Sequence, residues 1–162
     1  MLKEERLHAK HKDYERIKQI YLASFPANER WDFDELMTHL SACILYYDND
    51  TLVGFTALFT NQTITNIVYF AIDPARRNQG YGTQILKQLC ASLPGQRISV
   101  DIESPDTNHP EVAQRTRRKD FYLRNGFQMT DLSYTWQEET YVTMVYGGSI
   151  SPREYESFWK PF

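Results

Sequence analysis

Hydrophobic positions change their spacing several times along this chain. Tyr14, Ile17, Tyr21 and Phe25 recur at helical intervals behind Asp13, a candidate N-cap. The stripe stops at Phe25-Pro26, because a proline disfavours helical geometry in the residue before it. A second helix is predicted from near Asp32, carrying Leu36, Met37 and Leu40. The pattern then shortens. CILYYD, TLVGFTALFT and TITNIVYFAID are rich in β-branched and aromatic residues, and Asp48-Asn49-Asp50 and Asn61-Gln62 supply turns between them. Three strands in an antiparallel meander are expected there.

Helical spacing returns with Ile85, Leu86, Leu89, Cys90 and Leu93, and ends at Pro94-Gly95. RISVDIES alternates, with Ile98, Val100 and Ile102 on one side and Ser99, Asp101 and Glu103 on the other. Strand, crossover helix and strand predict a right-handed parallel unit. A loop, SPDTNHP, leads to a polar helix stopped at Asn125-Gly126. FQMTDLSYTW and ETYVTMVYGG read as a closing hairpin. Ser151-Pro152-Arg153-Glu154 forms a capping box with proline at the first helical position, ahead of the aromatic tail YESFWKPF. The order ααβββαβαββ with a C-terminal helical tail predicts an α/β fold: one mixed (α+β) sheet with helices on both faces. No repeat or linker interrupts it, so residues 1–162 are expected to form a single domain.

Composition narrows the function classes. The net charge is -3 and no long block of lysine or arginine occurs, which argues against nucleic acid as a partner. The first residues, MLKEERLHAKHKDYERI, lack an apolar signal core, and no apolar run approaches the ~20 residues that span a membrane. A cytoplasmic protein with no membrane partner is expected. Cys43 and Cys90 have no metal-ligand spacing, so they read as free thiols of a reducing compartment, and no metal site is expected.

The chemistry concentrates in YFAIDPARRNQGYGTQIL, residues 69–86, where an apolar strand runs through Asp-Pro and two arginines into Gly-Tyr-Gly and a helix. The first amides of a helix lack partners within it, and the helix dipole adds positive character there. Glycines let a ligand approach that backbone closely, so the turn can hold an anion, most naturally phosphate. Arg76 and Arg77 add charge. A dinucleotide fingerprint would need a small residue where Ile85 stands, and a nucleotide-triphosphate loop would need Gly-Lys-Ser/Thr, so both are rejected. A turn that merely reverses the chain has the same short pattern.

Arg77-Asn78-Gln79-Gly80-Tyr81-Gly82 fits the R/Q-x-x-G-x-G/A pattern of the GNAT superfamily N-acetyltransferases. FYLRNGF, residues 121–127, resembles their second signature, a tyrosine on a helix just before a Gly-Phe that opens a strand. The element order matches that family too, so the resemblance spans nearly the whole chain. It implies that the fourth and fifth strands splay apart around acetyl-CoA, the cosubstrate. By position, amides from Arg77 through Asn78, Gln79, Gly80, Tyr81, Gly82 and Thr83 would hold the coenzyme pyrophosphate. Backbone groups of Phe70 and Ile72 would pair with the pantetheine arm. The Ile72 amide would stabilise the oxyanion as an amine attacks, a contribution of about 3 kcal/mol.

Direct transfer in a ternary complex needs two proton movements. An alkylammonium near pKa ~10 must lose a proton, and the departing thiolate must gain one. Tyr122 matches the family's tyrosine and is the expected acid. Glu103 is the first choice for the base, with Asp101 on the same side of the strand; both carboxylates could instead pair with Arg115, Arg117 and Arg118. The family's asparagine seven residues before the tyrosine is replaced here by Arg115, and Asn108 could take over its contact with the coenzyme. For the acceptor, a primary amine, the resemblance points to the connection FPANERW: Glu29 could hold the amine, Arg30 a carboxylate, and Trp31 an apolar wall. Neither cysteine has an adjacent histidine, which disfavours an acyl-enzyme. The aromatic tail could cover the acceptor, complete the core or dock a second subunit in a homodimer. The rival reading is a non-catalytic acyl-CoA-binding module of the same fold.

Overall fold

The β-branched runs form strands where the spacing places them. A computed structural model describes residues 1–105 and 108–162; Asp106 and Thr107, in the expected loop SPDTNHP, lie outside the described residues. The chain divides into two compact units: residues 1–60 with 67–94 and Phe162, and residues 61–66 with 95–161. One seven-stranded mixed sheet has the order β1-β2-β3-β4-β5-β7-β6.

In the first unit, β2 (Ala42–Asp48) and β3 (Thr51–Asn61) pair antiparallel, with a bulge at Tyr46/Tyr47, and β4 (Ile64–Ile72) follows. The predicted order lacked one element: β1 (Lys3–Arg6) adds a strand before the first helix. Its sequence, KEER, has no apolar alternation to announce it; pairing of Lys3 with Tyr47 through Arg6 with Ile44 creates it. Helices α1 (Tyr14–Ser24) and α2 (Phe33–His39) bury Ile17, Ile20, Tyr21, Phe33 and Leu36 against Leu45 and Phe55. Each such side chain contributes about 1.5–3 kcal/mol on burial. Asp32 caps α2 by accepting from the Glu35 amide (3.1 Å). Asp13 stands at the N-cap of α1 but makes no side-chain cap; its Oδ2 accepts from the Tyr47 hydroxyl (2.6 Å). Helix α3 (Tyr81–Ser92) buries Ile85, Leu86 and Leu89, as its stripe predicts.

In the second unit, β5 (Arg97–Glu103) pairs antiparallel with β7 (Glu139–Tyr146), which pairs with β6 (Gln128–Trp136). Helix α4 (Val112–Arg124) precedes Gly126, whose φ of +88° lets the chain leave the helix where a non-glycine residue would be strained. The capping box of α5 (Pro152–Trp159) is complete: Ser151 accepts from the Glu154 amide, and Glu154 accepts from the Ser151 amide. The polar side of β5, expected from its alternation, is covered by other elements. Ser99 is fully buried, and α5 lays Tyr155 over Asp101. Among the described residues, no helix is long and apolar enough to cross a membrane.

Candidate active site

In the first unit, β4 delivers the chain into a turn that is held from outside and left open at its end. Asp73 is buried, its amide donates to the Val53 carbonyl (2.8 Å), and its side chain accepts from the Ala75 amide (3.0 Å). Arg16 of α1 grips the other carboxylate oxygen (2.6 Å). These contacts fix a short 3-10 turn, Pro74–Arg76. Asn78 and Gly80 then take left-handed backbone, at φ of +63° and +81°. Gly80 is the N-cap of α3, and no side chain caps this helix end. The first helical bond runs from the Gln84 amide to the Gly80 carbonyl (3.2 Å), so the amides of Tyr81, Gly82 and Thr83 precede it. Left-handed residues before an uncapped helix start form a concave set of N–H donors suited to an anion.

The side chains around these donors leave the approach clear. Residues 74–80 are exposed, and a Cβ placed on Gly80 would meet nothing within 4 Å. Arg76 and Arg77 enter no ion pair among the described residues. Tyr81 is pinned instead: its hydroxyl donates to Asp48 at the end of β2 (2.6 Å), and that carboxylate pushes the phenol's pKa up. Phe70 and Ile72 on β4 pack against the core cluster of Leu2, Tyr46, Val53 and Ile85. Tyr81, at the start of α3, packs against the same cluster as Phe70 and Ile72.

The connection between α1 and α2 belongs to the same unit and is clamped by tyrosines. The Tyr69 hydroxyl donates to the Glu29 carbonyl (2.5 Å). The Tyr21 hydroxyl donates to the Trp31 carbonyl (3.0 Å) and accepts from the Trp31 amide (2.9 Å). Burial pushes both phenols up. Arg30, expected to meet a carboxylate, donates to the Leu22 carbonyl near the end of α1 (3.1 Å). The Trp31 ring lies edge-on to His39 and Phe162. Hydroxyl-to-backbone bonds have no pattern along the chain, so nothing in it announces that Tyr21 and Tyr69 hold this segment.

In the second unit, Tyr122 is buried between Phe121 and Phe127, with ring centroids 5.2 and 5.3 Å away. Burial pushes its phenol up, and Arg118 opposes this weakly. Such a tyrosine keeps its proton at neutral pH. Glu103 gives one oxygen to Arg118 (2.5 Å) and the other to Arg115 (3.1 Å). Arg115 is buried, ion-paired also to Glu139, and bonded to the Ser104 carbonyl (3.2 Å) and to His109 (3.2 Å). Asn108 precedes α4 in a turn.

Asp101 accepts from three side chains. Thr143 donates to Oδ1 (2.5 Å), Asn66 to Oδ2 (3.1 Å), and the Tyr155 hydroxyl lies 2.5 Å from each oxygen. Asn66 also donates to Ser99 (2.8 Å). Burial nevertheless raises the Asp101 carboxyl above its ordinary pKa, and the three donor side chains pull the other way. Sequence reasoning missed Tyr155 as a partner. The capping box announces the helix that carries it but not where that helix lands.

Comparison with known proteins agrees with this architecture. Residues 39–129 match the model of the acetyltransferase (GNAT) domain. Among solved structures, a protein from Bacteroides thetaiotaomicron assigned to the GNAT family is 23% identical, with a TM-score of 0.80, covering 96% of this chain and 92% of that one. A GNAT family acetyltransferase from Elizabethkingia anophelis with acetyl-CoA bound is 16% identical (TM-score 0.64; 90% and 97% covered). The ribosomal-protein-S18-alanine N-acetyltransferase from Escherichia coli is 16% identical (TM-score 0.66; 93% and 96% covered). No curated protein sequence matches. Identities this low speak to the fold, whereas the domain model covers more than half of the sequence and includes both the glycine turn and the helix of Tyr122. The chain belongs to the GNAT acetyltransferase family.

Proposed function

We propose that this protein is an acetyl-CoA-dependent N-acetyltransferase that moves the acetyl group to a primary amine by direct attack in a ternary complex. The observation that carries this reading is the open start of α3: donors at residues 81–83, behind left-handed Asn78 and Gly80, with no side chain capping them. A pyrophosphate suits such a site, and Arg76 and Arg77 supply charge on the approach. Support also comes from GNAT structures solved with this cosubstrate or its product, including the E. anophelis protein and a Bacillus subtilis acetyltransferase in complex with CoA.

In this mechanism Phe70 and Ile72 align the pantetheine arm along β4, and the Ile72 amide polarises the thioester carbonyl. The amine nitrogen forms a bond to the carbonyl carbon, the carbon–sulfur bond breaks, and Tyr122 donates its proton to the departing thiolate. Glu103 is the proposed acceptor of the amine's proton, and to act it must loosen one of its two guanidinium pairs. Glu29 and Trp31 are proposed to face the acceptor amine. Arg30 reaches a carboxylate there only by leaving the Leu22 carbonyl.

One observation favours the non-catalytic alternative, an acyl-CoA sensor: Tyr122 lies packed between two phenylalanines. Release of free thiol from acetyl-CoA across a panel of amines separates the two readings. Turnover with at least one amine is expected for the enzyme, and binding without turnover for the sensor. Tyr122→Phe should then lower kcat by roughly 10²-fold or more while leaving acetyl-CoA affinity nearly intact. Equal turnover in variant and parent removes Tyr122 from the mechanism. A pH profile of kcat/KM that keeps its acidic limb in Glu103→Gln removes Glu103. No calorimetric heat on titrating CoA defeats both readings.

A further inference from the structure

Among the described residues of the first unit, Asp73 is the one buried acid, with 6% of its surface exposed. It stands between the two places where the proposed coenzyme contacts fall, the Ile72 amide before it and residues 77–83 after it. Only the 3-10 turn Pro74–Arg76 separates it from Arg77, a rise of about 6 Å. Charges act over ~8 Å in physiological salt, so a carboxylate at this position repels a pyrophosphate bound by the turn. A chain built to hold an anion has placed a buried negative charge beside it.

The backbone explains why an acceptor is needed there. Asp73 Oδ1 accepts from the Ala75 amide (3.0 Å), the Asp73 amide donates to the Val53 carbonyl (2.8 Å), and the Asp73 carbonyl accepts from the Arg76 amide (2.7 Å). These bonds aim the chain from β4 toward α3. The second carboxylate oxygen, Oδ2, takes Arg16 Nη2 at 2.6 Å, and no other cation pairs with Asp73 among the described residues. Arg16 is the third residue of α1, where the helix dipole disfavours a cation, so the helix itself gains nothing from this charge. Its side chain is 44% exposed, and an ion pair that open adds little to stability. Asp48 supplies the contrast. It bonds the same turn through the Tyr81 hydroxyl, but it faces water and pairs with no cation among the described residues.

We infer that Arg16 is a positioning residue for the coenzyme: its charge cancels that of Asp73, so the turn keeps its carboxylate brace and still accepts a pyrophosphate. The inference rests on the reading of residues 77–83 as the coenzyme site and adds to it a residue of α1 that no glycine motif points to. Arg76 and Arg77 attract the anion directly, whereas Arg16 acts by removing a repulsion.

Calorimetric titration of CoA into wild type, Arg16→Lys, Arg16→Gln and the double variant Arg16→Gln/Asp73→Asn tests this. Glutamine keeps a neutral donor and suits an exposed helix position, so the fold is retained. Arg16→Gln should weaken CoA binding about 10-fold at low salt, the scale expected for one uncancelled charge acting on a pyrophosphate at this range. That ratio to wild type should shrink as salt rises. Arg16→Lys should stay close to wild type. The double variant should recover the loss, because its carboxamide oxygen still accepts from the Ala75 amide and no charge is left to cancel. If Arg16→Gln binds CoA as tightly as wild type, the inference is overturned while the coenzyme site stands. A loss that is equal at every salt concentration, or that persists in the double variant, also overturns it, since Arg16 then only braces the turn. Wild type that gives no heat with CoA defeats the coenzyme reading, and the inference with it.

Discussion

The turn at residues 77–83 and the strand at residues 97–103 are both crowded with polar groups, and the protein treats them in opposite ways. Along the turn, Arg76 and Arg77 stay exposed and unpaired among the described residues, and no side chain caps the helix that follows. Along the strand, Asp101 is enclosed by Thr143, Asn66 and Tyr155, and Glu103 lies between two arginines. One region leaves its donors exposed; the other uses its acceptors within the chain. Polarity in a sequence therefore does not mark a site. A polar group is available for chemistry only where the tertiary structure has not already given it a partner.

Breaking the closed region should have the largest effect on the fold. Arg115→Ala removes the buried cation shared by Glu103 and Glu139 and leaves both carboxylates short of a partner. A loss of about 3–5 kcal/mol is expected on urea unfolding. A loss below ~1 kcal/mol would show that these carboxylates are solvated after all.

The open region should respond the other way. Gly80→Ala meets no atom, so its penalty is that of a left-handed non-glycine residue, about 1–2 kcal/mol. CoA affinity should fall with it, because a relaxed backbone no longer aims the amides of residues 81–83. Unchanged affinity, measured by calorimetry, would detach the turn from the coenzyme.

The pH dependence of stability sharpens the contrast further. Burial raises the folded-state pKa of Asp101, so its contribution is fully present below the unfolded carboxylate pKa of about 3.9 and is lost as pH rises through the folded value. Glu154 runs the opposite way: the Ser151 amide and Arg97 hold its pKa down, so its contribution is lost as pH falls. Urea curves across the mildly acidic range should therefore show wild type losing stability relative to Asp101→Asn as pH increases. A difference that is flat with pH would mean Asp101 is solvated like an ordinary surface carboxylate.

The smallest effect on stability belongs to Arg77→Ala. Its side chain is exposed and unpaired among the described residues, so unfolding should change by no more than ~0.5 kcal/mol. CoA affinity should still weaken, and more so at low salt, because an exposed cation acts through a screened field. Equal affinity at every salt concentration would confine recognition to the backbone.

Most elements were legible because they follow from local rules. Helical stripes gave α1 to α3, the Asn125-Gly126 stop gave the polar α4, β-branched and aromatic runs gave β2 to β4, alternation gave β5, and Ser151-Pro152-Arg153-Glu154 gave α5 with its cap. β1 escaped because four charged residues become a strand only when β2 lies beside them. Asp13 shows the same limit from the other side. It is a good N-cap by residue type, yet Tyr47, thirty-four positions away, takes its carboxylate.

The glycine turn could be read from the chain because left-handed backbone and an uncapped helix start are local consequences of Asn78, Gly80 and the residues after them. Helix stripes, turn chemistry and the GNAT motifs are of this kind: each depends on neighbours within a few positions. Which carboxylates are enclosed and which loop is clamped by tyrosines depend on side chains distant in sequence. Those outcomes were decided only when packing brought such groups within hydrogen-bond reach, because a short-range contact between remote residues leaves no periodic trace in the chain.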